Sequence, residues 1–145
     1  MLTDRRPPFR FAYATRVGFD ETDAQGIVYY GRYMPYFDRA RVEYMRHLDV
    51  LEREPHDPEF VMRAQHVEYL APARFDDELE VFVRVRRIGH SSVGWEFAAY
   101  NLATGQHLVS ANQTLVQVDL LKRRPVAVQE HVRQAVTEFE RELEP

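Results

Sequence analysis

The chain has 145 residues, a formal net charge of −4 at pH 7 and no cysteine. A chain of this length is predicted to form a single domain over residues 1–145, with a loose tail over residues 1–8. The negative charge gives no general attraction to nucleic acid, and the lack of cysteine excludes thiol nucleophiles, disulfides and thiolate metal ligands. Residues 1–10 carry no apolar leader and no run of about 18 apolar residues occurs, so we expect a cytoplasmic protein without a membrane span.

The predicted elements begin with a strand from Phe9 to Phe19, where apolar residues alternate. A helix is predicted from about Tyr30 to Glu52, because apolar residues then recur at spacings of three or four. The segment Glu54-Pro55-His56-Asp57-Pro58 is predicted to stop this helix and turn the chain.

Four further strands are predicted, joined by short hairpins, and the chain closes with a short helix from Gln129 to Leu143. Short connections imply antiparallel pairing. A long helix that is apolar on more than one side needs a sheet that curls around it, so the predicted fold class is α+β. The strands are predicted at Phe60 to Leu70, Leu79 to Ile88, Val93 to Tyr100 and His107 to Leu120.

The stretch between the first strand and the long helix combines a loop carboxylate, Asp23, with a helix start at Tyr30. A helix start presents unpaired backbone N–H groups and a partial positive charge. A carboxylate a few residues upstream can face whatever these groups bind, which suits the polarisation and attack of a carbonyl group. The spacing alone favours an ordinary turn in which Asp23 bonds its own backbone, because Asp-x-x-Gly is a common turn sequence.

The same stretch reads Phe19-x-Glu-Thr-Asp23-Ala-x-Gly26-Ile-Val-Tyr-Tyr30-x-x-Tyr33-x-x-x-Phe37-Asp38-x-Ala40-Arg41. This pattern resembles the signature of hot-dog-fold acyl-CoA thioesterases of the 4-hydroxybenzoyl-CoA thioesterase group, which includes bacterial thioesterases associated with the Tol-Pal system. A second pattern, Val67-x-Tyr69-x-x-Pro72-Ala73-x-Phe75-Asp76-Asp77-x-Leu79-x-Val81, and a third, Gly89-x-Ser91-Ser92, are similar to further signatures of this group.

The resemblance implies a hot-dog fold, in which a five-stranded antiparallel sheet wraps around the long central helix. It places the catalytic aspartate on Asp23 and the backbone donor to the thioester carbonyl on Tyr30. It also implies a homodimer or homotetramer with the active site between subunits. The chain differs from many members at two positions: Glu21 stands where they carry aspartate, and Gly31 where they carry histidine.

The chemistry expected from this resemblance is hydrolysis of an acyl-CoA thioester to a free acid and CoA. The N–H groups of Tyr30 and Gly31 would hold the carbonyl oxygen, while Asp23 would act as nucleophile or as general base. Coenzyme A is part of the substrate, so no separate cofactor is expected. The histidines are scattered along the chain, so no metal site is predicted.

Substrate-binding roles are predicted for His66, Arg87, His90 and Ser91. Further basic residues, Arg84, Arg86 and the run Lys122-Arg123-Arg124, are candidates for contacts with the CoA phosphates. Two other functions stay open: a hydratase or dehydratase of acyl thioesters, disfavoured because no histidine lies between Phe19 and Arg32, and a protein that binds acyl-CoA without turnover. An unrelated α+β fold would explain the order of elements alone.

Overall fold

The computed structural model describes residues 1–54 and 58–145, so residues 55–57 of the predicted turn after the helix lie outside the described part. Two short 3-10 turns, Phe19–Glu21 and Tyr30–Arg32, flank the loop that carries Asp23. The strands and α-helices are β1 (Phe11–Arg16), α1 (Tyr33–His47), β2 (Glu59–Tyr69), β3 (Glu78–Ile88), β4 (Ser92–Asn101), β5 (His107–Asp119), β6 (Arg124–Pro125) and α2 (Glu130–Glu140).

The sheet is antiparallel, with strand order β1-β3-β4-β5-β2, and the two-residue β6 pairs with the end of β5. It curls around α1, whose inward residues Tyr36, Phe37, Ala40 and Tyr44 are completely buried. The ring of Phe37 packs on that of Phe97 in β4, with centroids 4.9 Å apart. The predicted hot-dog fold is therefore confirmed, with β6 as a short addition to the five expected strands.

The predicted hairpins between β3 and β4 and between β4 and β5 are present. The prediction of a hairpin between β2 and β3 is wrong, because these two strands are not neighbours in the sheet. β2 pairs with β5 at one edge of the sheet, whereas β3 pairs with β1 at the other. The segment over residues 70–77 crosses between them, and the Ala73 carbonyl accepts a hydrogen bond of 2.8 Å from the Val28 N–H. This crossing brings the end of β2 next to the loop that carries Asp23.

The end of α1 also differs from the prediction, because the helix stops at His47 rather than near Glu52. Asp49 adopts a left-handed conformation with φ 58°. The Asp49 N–H then bonds the Arg46 carbonyl, and the Val50 N–H bonds the Met45 carbonyl. This is a Schellman ending, and it turns Val50 back into the core, where it is 8% exposed.

The closing helix α2 is held on the sheet by a buried carboxylate. Glu140 is 5% exposed, and its Oε2 accepts hydrogen bonds from the Tyr44 hydroxyl at 2.5 Å and from the Val85 N–H at 2.9 Å. Burial raises the pKa of Glu140. No helix within the described ranges has the length and apolar character needed to cross a bilayer.

Candidate active site

The loop that carries Asp23 is closed by hydrogen bonds of its own. The Asp23 N–H donates to the Ile27 carbonyl and the Gly26 N–H donates to the Asp23 carbonyl, both at 2.9 Å. Asp23 Oδ1 accepts from the Gln25 N–H at 2.8 Å. Gly26 has φ 79°, a conformation that favours glycine. The side chain of Asp23 is therefore fixed through one oxygen, in the manner of an Asx turn.

Asp23 and Tyr30 line the same open cavity of about 350 Å³. Its walls come from the Asp23 loop, the start of the helix and the end of β2 with the segment after it. The structure thus brings together the carboxylate and one of the two donor positions that the sequence indicated. The remaining lining residues are Gln25, Ile27, Val28, Tyr33, Tyr69, Leu70, Ala71 and Pro72.

The expected helix start is a 3-10 turn, Tyr30–Arg32, that leads into α1 at Tyr33. The first residues of a helical turn have no acceptor for their N–H groups inside the turn, so those of Tyr30 and Gly31 stay the candidates for donation to a ligand. The Tyr30 carbonyl accepts a hydrogen bond of 3.1 Å from the Tyr69 hydroxyl. This contact ties the turn to the end of β2.

Gly31 is absent from the described lining of the cavity. A Cβ atom at this position would lie 3.0 Å from Cε1 of the Tyr29 ring. The Tyr29 ring in turn contacts the ring of Tyr30 in a tilted arrangement, with centroids 4.3 Å apart. Glycine therefore leaves room for the Tyr29 ring beside the turn. The expected hydrogen bond from the Gly31 N–H to the carbonyl oxygen of a substrate stays a prediction.

Two tyrosines of the cavity were not assigned to the site from the sequence. In the sequence, Tyr33 and Tyr69 are recognisable only as members of the first and second signature patterns. Burial raises the pKa of Tyr33 to about 12, so its hydroxyl keeps its proton at neutral pH. The segment that crosses from β2 to β3 places Tyr69 at the site. The course of this segment depends on the tertiary fold, so no local sequence pattern indicates it.

His66 lies on β2 but faces away from this cavity. It pairs with Asn112, on the exposed side of β5, whereas Tyr69 pairs with the buried Val109. Residues an odd number of positions apart point to opposite faces of a strand. The His66 ring contacts Glu68 Oε1 at 3.1 Å, and both side chains are exposed.

Arg87, His90 and Ser91 lie at the opposite end of the sheet from Asp23. Ser91 and His90 form the turn between β3 and β4, and their carbonyls accept hydrogen bonds of 2.8 Å from the N–H groups of Gln117 and Val128. Ala99 on β4 pairs with Val109, which lies near the cavity. Ser92, at the start of β4, is seven residues before Ala99, so the turn lies about 23 Å along the strand from the cavity end. Within one chain, these residues are not brought together with Asp23.

Two of the proposed phosphate-binding arginines are engaged by acids. Arg84 Nε bonds Glu96 at 2.7 Å, and Arg86 Nη1 bonds Glu144 at 3.0 Å. The run Lys122-Arg123-Arg124 is exposed and follows β5. Within residues 1–54 and 58–145, no group of three or more histidine, aspartate or glutamate side chains is arranged to hold a metal ion.

A sheet curled around one long helix, with a loop carboxylate beside the first turn of that helix, defines a hot-dog protein. Residues 17–136 match the model of the Thioesterase-like superfamily, and the chain belongs to this family. The acyl-CoA thioester hydrolase YbgC of Escherichia coli O6:H1 is 34% identical over 131 residues, which cover 89% of this chain and 95% of that protein. The acyl-CoA thioesterase YbgC of Haemophilus influenzae is 32% identical over 128 residues, covering 86% and 93%.

Solved structures share the same fold. A thioesterase complexed with coenzyme A and Zn from Thermus thermophilus aligns with a TM-score of 0.81 at 26% identity, covering 94% of this chain and 99% of that one. A 1,4-dihydroxy-2-naphthoyl-CoA thioesterase from Synechocystis aligns with a TM-score of 0.84 at 17% identity, covering 90% and 97%, a likeness of fold alone. These matches confirm the predicted family and fold and the expected enzyme class, the thioester hydrolases.

Proposed function

We propose that the chain hydrolyses acyl-CoA thioesters, with Asp23 as the reacting carboxylate. The observation that carries this proposal is the shared cavity, which is lined by both Asp23 and the first residue of the helical turn, Tyr30. The acyl-CoA thioesterases among the relatives support the choice of substrate class. Coenzyme A enters as part of the substrate, and the reaction proposed needs no separate cofactor.

In this mechanism the thioester carbonyl oxygen accepts hydrogen bonds from the N–H groups of Tyr30 and Gly31. One such donor contributes about 3–4 kcal/mol to stabilising the transition state. Asp23 then either attacks the carbonyl carbon or removes a proton from the water that attacks it. Direct attack expels the CoA thiolate and leaves a mixed anhydride, which water cleaves to the free acid while the thiolate takes up a proton.

The carboxylate of Asp23 suits either role. Oδ1 is held by the Gln25 N–H, which fixes the orientation of the group, and among the described residues no hydrogen bond engages Oδ2. None of the described residues that line the cavity is a histidine. The site therefore offers a carboxylate and not an imidazole, which favours hydrolysis over a reaction that needs a histidine with an acid.

We further propose that the chain assembles as a homodimer, or as a homotetramer built from such dimers, through β2. This strand lies at the edge of the sheet, and large apolar side chains along it are exposed, including Val61 at 41%, Met62 at 45% and Tyr69 at 49%. An edge strand of this kind is a template for pairing with another strand. Antiparallel pairing of two copies of β2 places the Glu59 end of one beside the Tyr69 end of the other.

This assembly accounts for the distance between the predicted site residues. Glu59 on β2 pairs with Val118 on β5. Ser92 on β4 pairs with Val116, two residues away on the same strand. The Glu59 end of β2 and the turn that contains His90 and Ser91 therefore lie at the same end of the sheet. In the dimer, that end of one subunit approaches the Asp23 cavity of its partner. Arg87, His90 and Ser91 of one subunit then bind the CoA portion of a thioester held at the other, and His66 lies on the joined strand pair. The expected location is the cytoplasm.

Thiol release from a panel of acyl-CoA thioesters tests the proposed activity. The panel runs from acetyl-CoA through hexanoyl-CoA and benzoyl-CoA to palmitoyl-CoA. Because the chain contains no cysteine, a colorimetric thiol reagent reports released CoA alone. Enzyme-dependent release from one or more substrates is the expected result. CoA binding without release from any substrate would instead indicate a binding protein, and hydration of an enoyl-CoA without release would indicate a hydratase.

A further inference from the structure

A second cavity, of about 160 Å³, lies between the last turns of α1, helix α2 and the inner face of the sheet. Its walls are mostly apolar and include Tyr44, Met45, Trp95, Val132 and Val136. The described linings of the two cavities have no residue in common. Tyr44 lies eleven residues after Tyr33, the α1 residue of the Asp23 cavity, which is about 16 Å along the helix axis.

Arg41 is among the residues that line this apolar cavity. The side chain of Arg41 is 13% exposed and donates from Nη1 to Asp38 at 3.0 Å. Its Nη2 donates to Gln113 Oε1. Its Cζ lies 5.6 Å from the ring centroids of Trp95 and Phe97. The cation is therefore enclosed by aromatic rings and the sheet, with a single acid within ion-pair distance among the described residues.

The hydrogen-bonding capacity of Arg41 is incompletely used. Its Nε is buried and has no hydrogen-bond partner among the described residues, and Asp38, its acidic partner, is 60% exposed. A buried donor without an acceptor destabilises the folded state. Burial also lowers the pKa of Arg41, although an arginine keeps its charge inside proteins. Nε itself is enclosed, but an anion in the cavity would offset the charge that the exposed Asp38 compensates only in part.

The size and lining of the cavity define the rest of the ligand. A cavity of about 150 Å³ with apolar walls accommodates benzene. We propose that this second cavity binds a small carboxylic acid with an apolar body of about six carbons, whose carboxylate faces Arg41. The fork of N–H donors on a guanidinium group matches the two oxygens of a carboxylate.

The proposal does not depend on hydrolysis at Asp23, although the acid that thioester hydrolysis releases belongs to the same chemical class. Its readout is binding and not turnover. Trp95 is the sole tryptophan of the sequence and lines the cavity. Its fluorescence, excited selectively, therefore reports directly on occupation of this cavity.

The test is a titration of the whole chain with hexanoate and with its neutral isostere, hexanamide. We expect a saturable change in Trp95 fluorescence with hexanoate and an affinity at least about tenfold weaker for hexanamide, because a hydrogen bond to a charged group contributes about 1.5–3 kcal/mol. Equal affinities for the two ligands would overturn the role of the cation. The absence of a saturable response to hexanoate would overturn the site.

Two variants and a control sharpen the test. Val136→Phe fills the cavity and leaves Arg41 in place, so it should abolish the hexanoate response. Arg41→Met removes the cation and should lower hexanoate affinity to that of hexanamide. Arg39→Met alters an exposed arginine of the same helix and should leave the affinity unchanged. An unaltered hexanoate titration in Val136→Phe would contradict the proposal even if Arg41→Met failed to fold.

Discussion

The two ends of α1 carry opposite kinds of cavity. At its N-terminal end the cavity is open, and the carboxylate that faces it is half-buried and held by a backbone N–H. Toward its C-terminal end the cavity is smaller and mostly apolar, is covered by α2 and has Arg41 among its lining residues. A reaction that consumes water and a large thioester needs the open end. The covered end suits a small molecule that is desolvated when it binds.

The hydrogen bonds at the two ends differ in the same way. Tyr69 and Asp23 make contacts with backbone groups near the surface, whereas Glu140 joins the buried Tyr44 hydroxyl to the Val85 N–H. Surface hydrogen bonds contribute little to the free energy of unfolding, but a buried polar group that loses its partner destabilises strongly. Substitutions at the open end should therefore change activity, and those in the covered part should change stability.

The largest effect on stability is expected for Phe97→Ala. Phe97 is fully buried and packs on Phe37 and Trp95, so its truncation should lower the free energy of unfolding by about 3–5 kcal/mol. The control is Phe19→Ala near the open end, where the ring is 78% exposed and the expected change is within about 0.5 kcal/mol. Urea denaturation measures both, and similar losses in the two variants would remove the contrast between the regions.

A smaller effect, on catalysis, is expected for Tyr69→Phe. The variant removes the hydroxyl that donates to the Tyr30 carbonyl at 3.1 Å and so loosens the turn proposed to hold the thioester oxygen. We expect kcat to fall about two- to tenfold, since a neutral hydrogen bond contributes about 0.5–1.5 kcal/mol. The free energy of unfolding should hardly change. A loss of stability with unchanged kcat would assign Tyr69 to the folding of this end and not to the reaction.

The smallest effect concerns the pH dependence of stability at the covered end. Because burial raises the pKa of Glu140 above its usual 4.5, the folded chain binds this proton more tightly than the unfolded chain. Its contribution to stability is fully present below about pH 4.5 and is lost as the pH rises through the folded-state pKa. The stability of the parent relative to Glu140→Gln should therefore decrease with rising pH in urea titrations. A difference in the free energy of unfolding between the parent and Glu140→Gln that stays constant with pH would contradict this expectation.

The sequence predicted most of the fold because alternation and helical spacing are local signals. The bounds of β3, β4 and β5 fall within one residue of the predictions at each end. The end of α1 was missed because the residue that closes it is Asp49 and not glycine, and because Leu48 and Leu51 continue the helical spacing. The pairing of β2 with β5 was missed because the order of strands depends on contacts between distant residues.

The site was predictable to the extent that it is contiguous in the chain. Asp23 and Tyr30 lie seven residues apart in one motif, and they line one cavity. Tyr69 reaches the same cavity through the crossing after β2, which no local pattern reveals. The roles of His66, Arg87, His90 and Ser91 stay predictions, because a single chain places them away from Asp23 and the proposed pairing of two copies is needed to bring them near.

The most direct test of the account is the turnover of Asp23→Asn compared with that of Asp20→Asn, measured as CoA release from the best substrate of the panel. Asparagine keeps the Oδ1 acceptor for the Gln25 N–H and removes the charge, while Asp20 is an exposed acid of the same loop. We expect kcat to fall by about 100-fold or more in Asp23→Asn, with an unchanged unfolding midpoint, and Asp20→Asn to retain the parent rate. A rate for Asp23→Asn within about twofold of the parent would contradict the proposed role of Asp23.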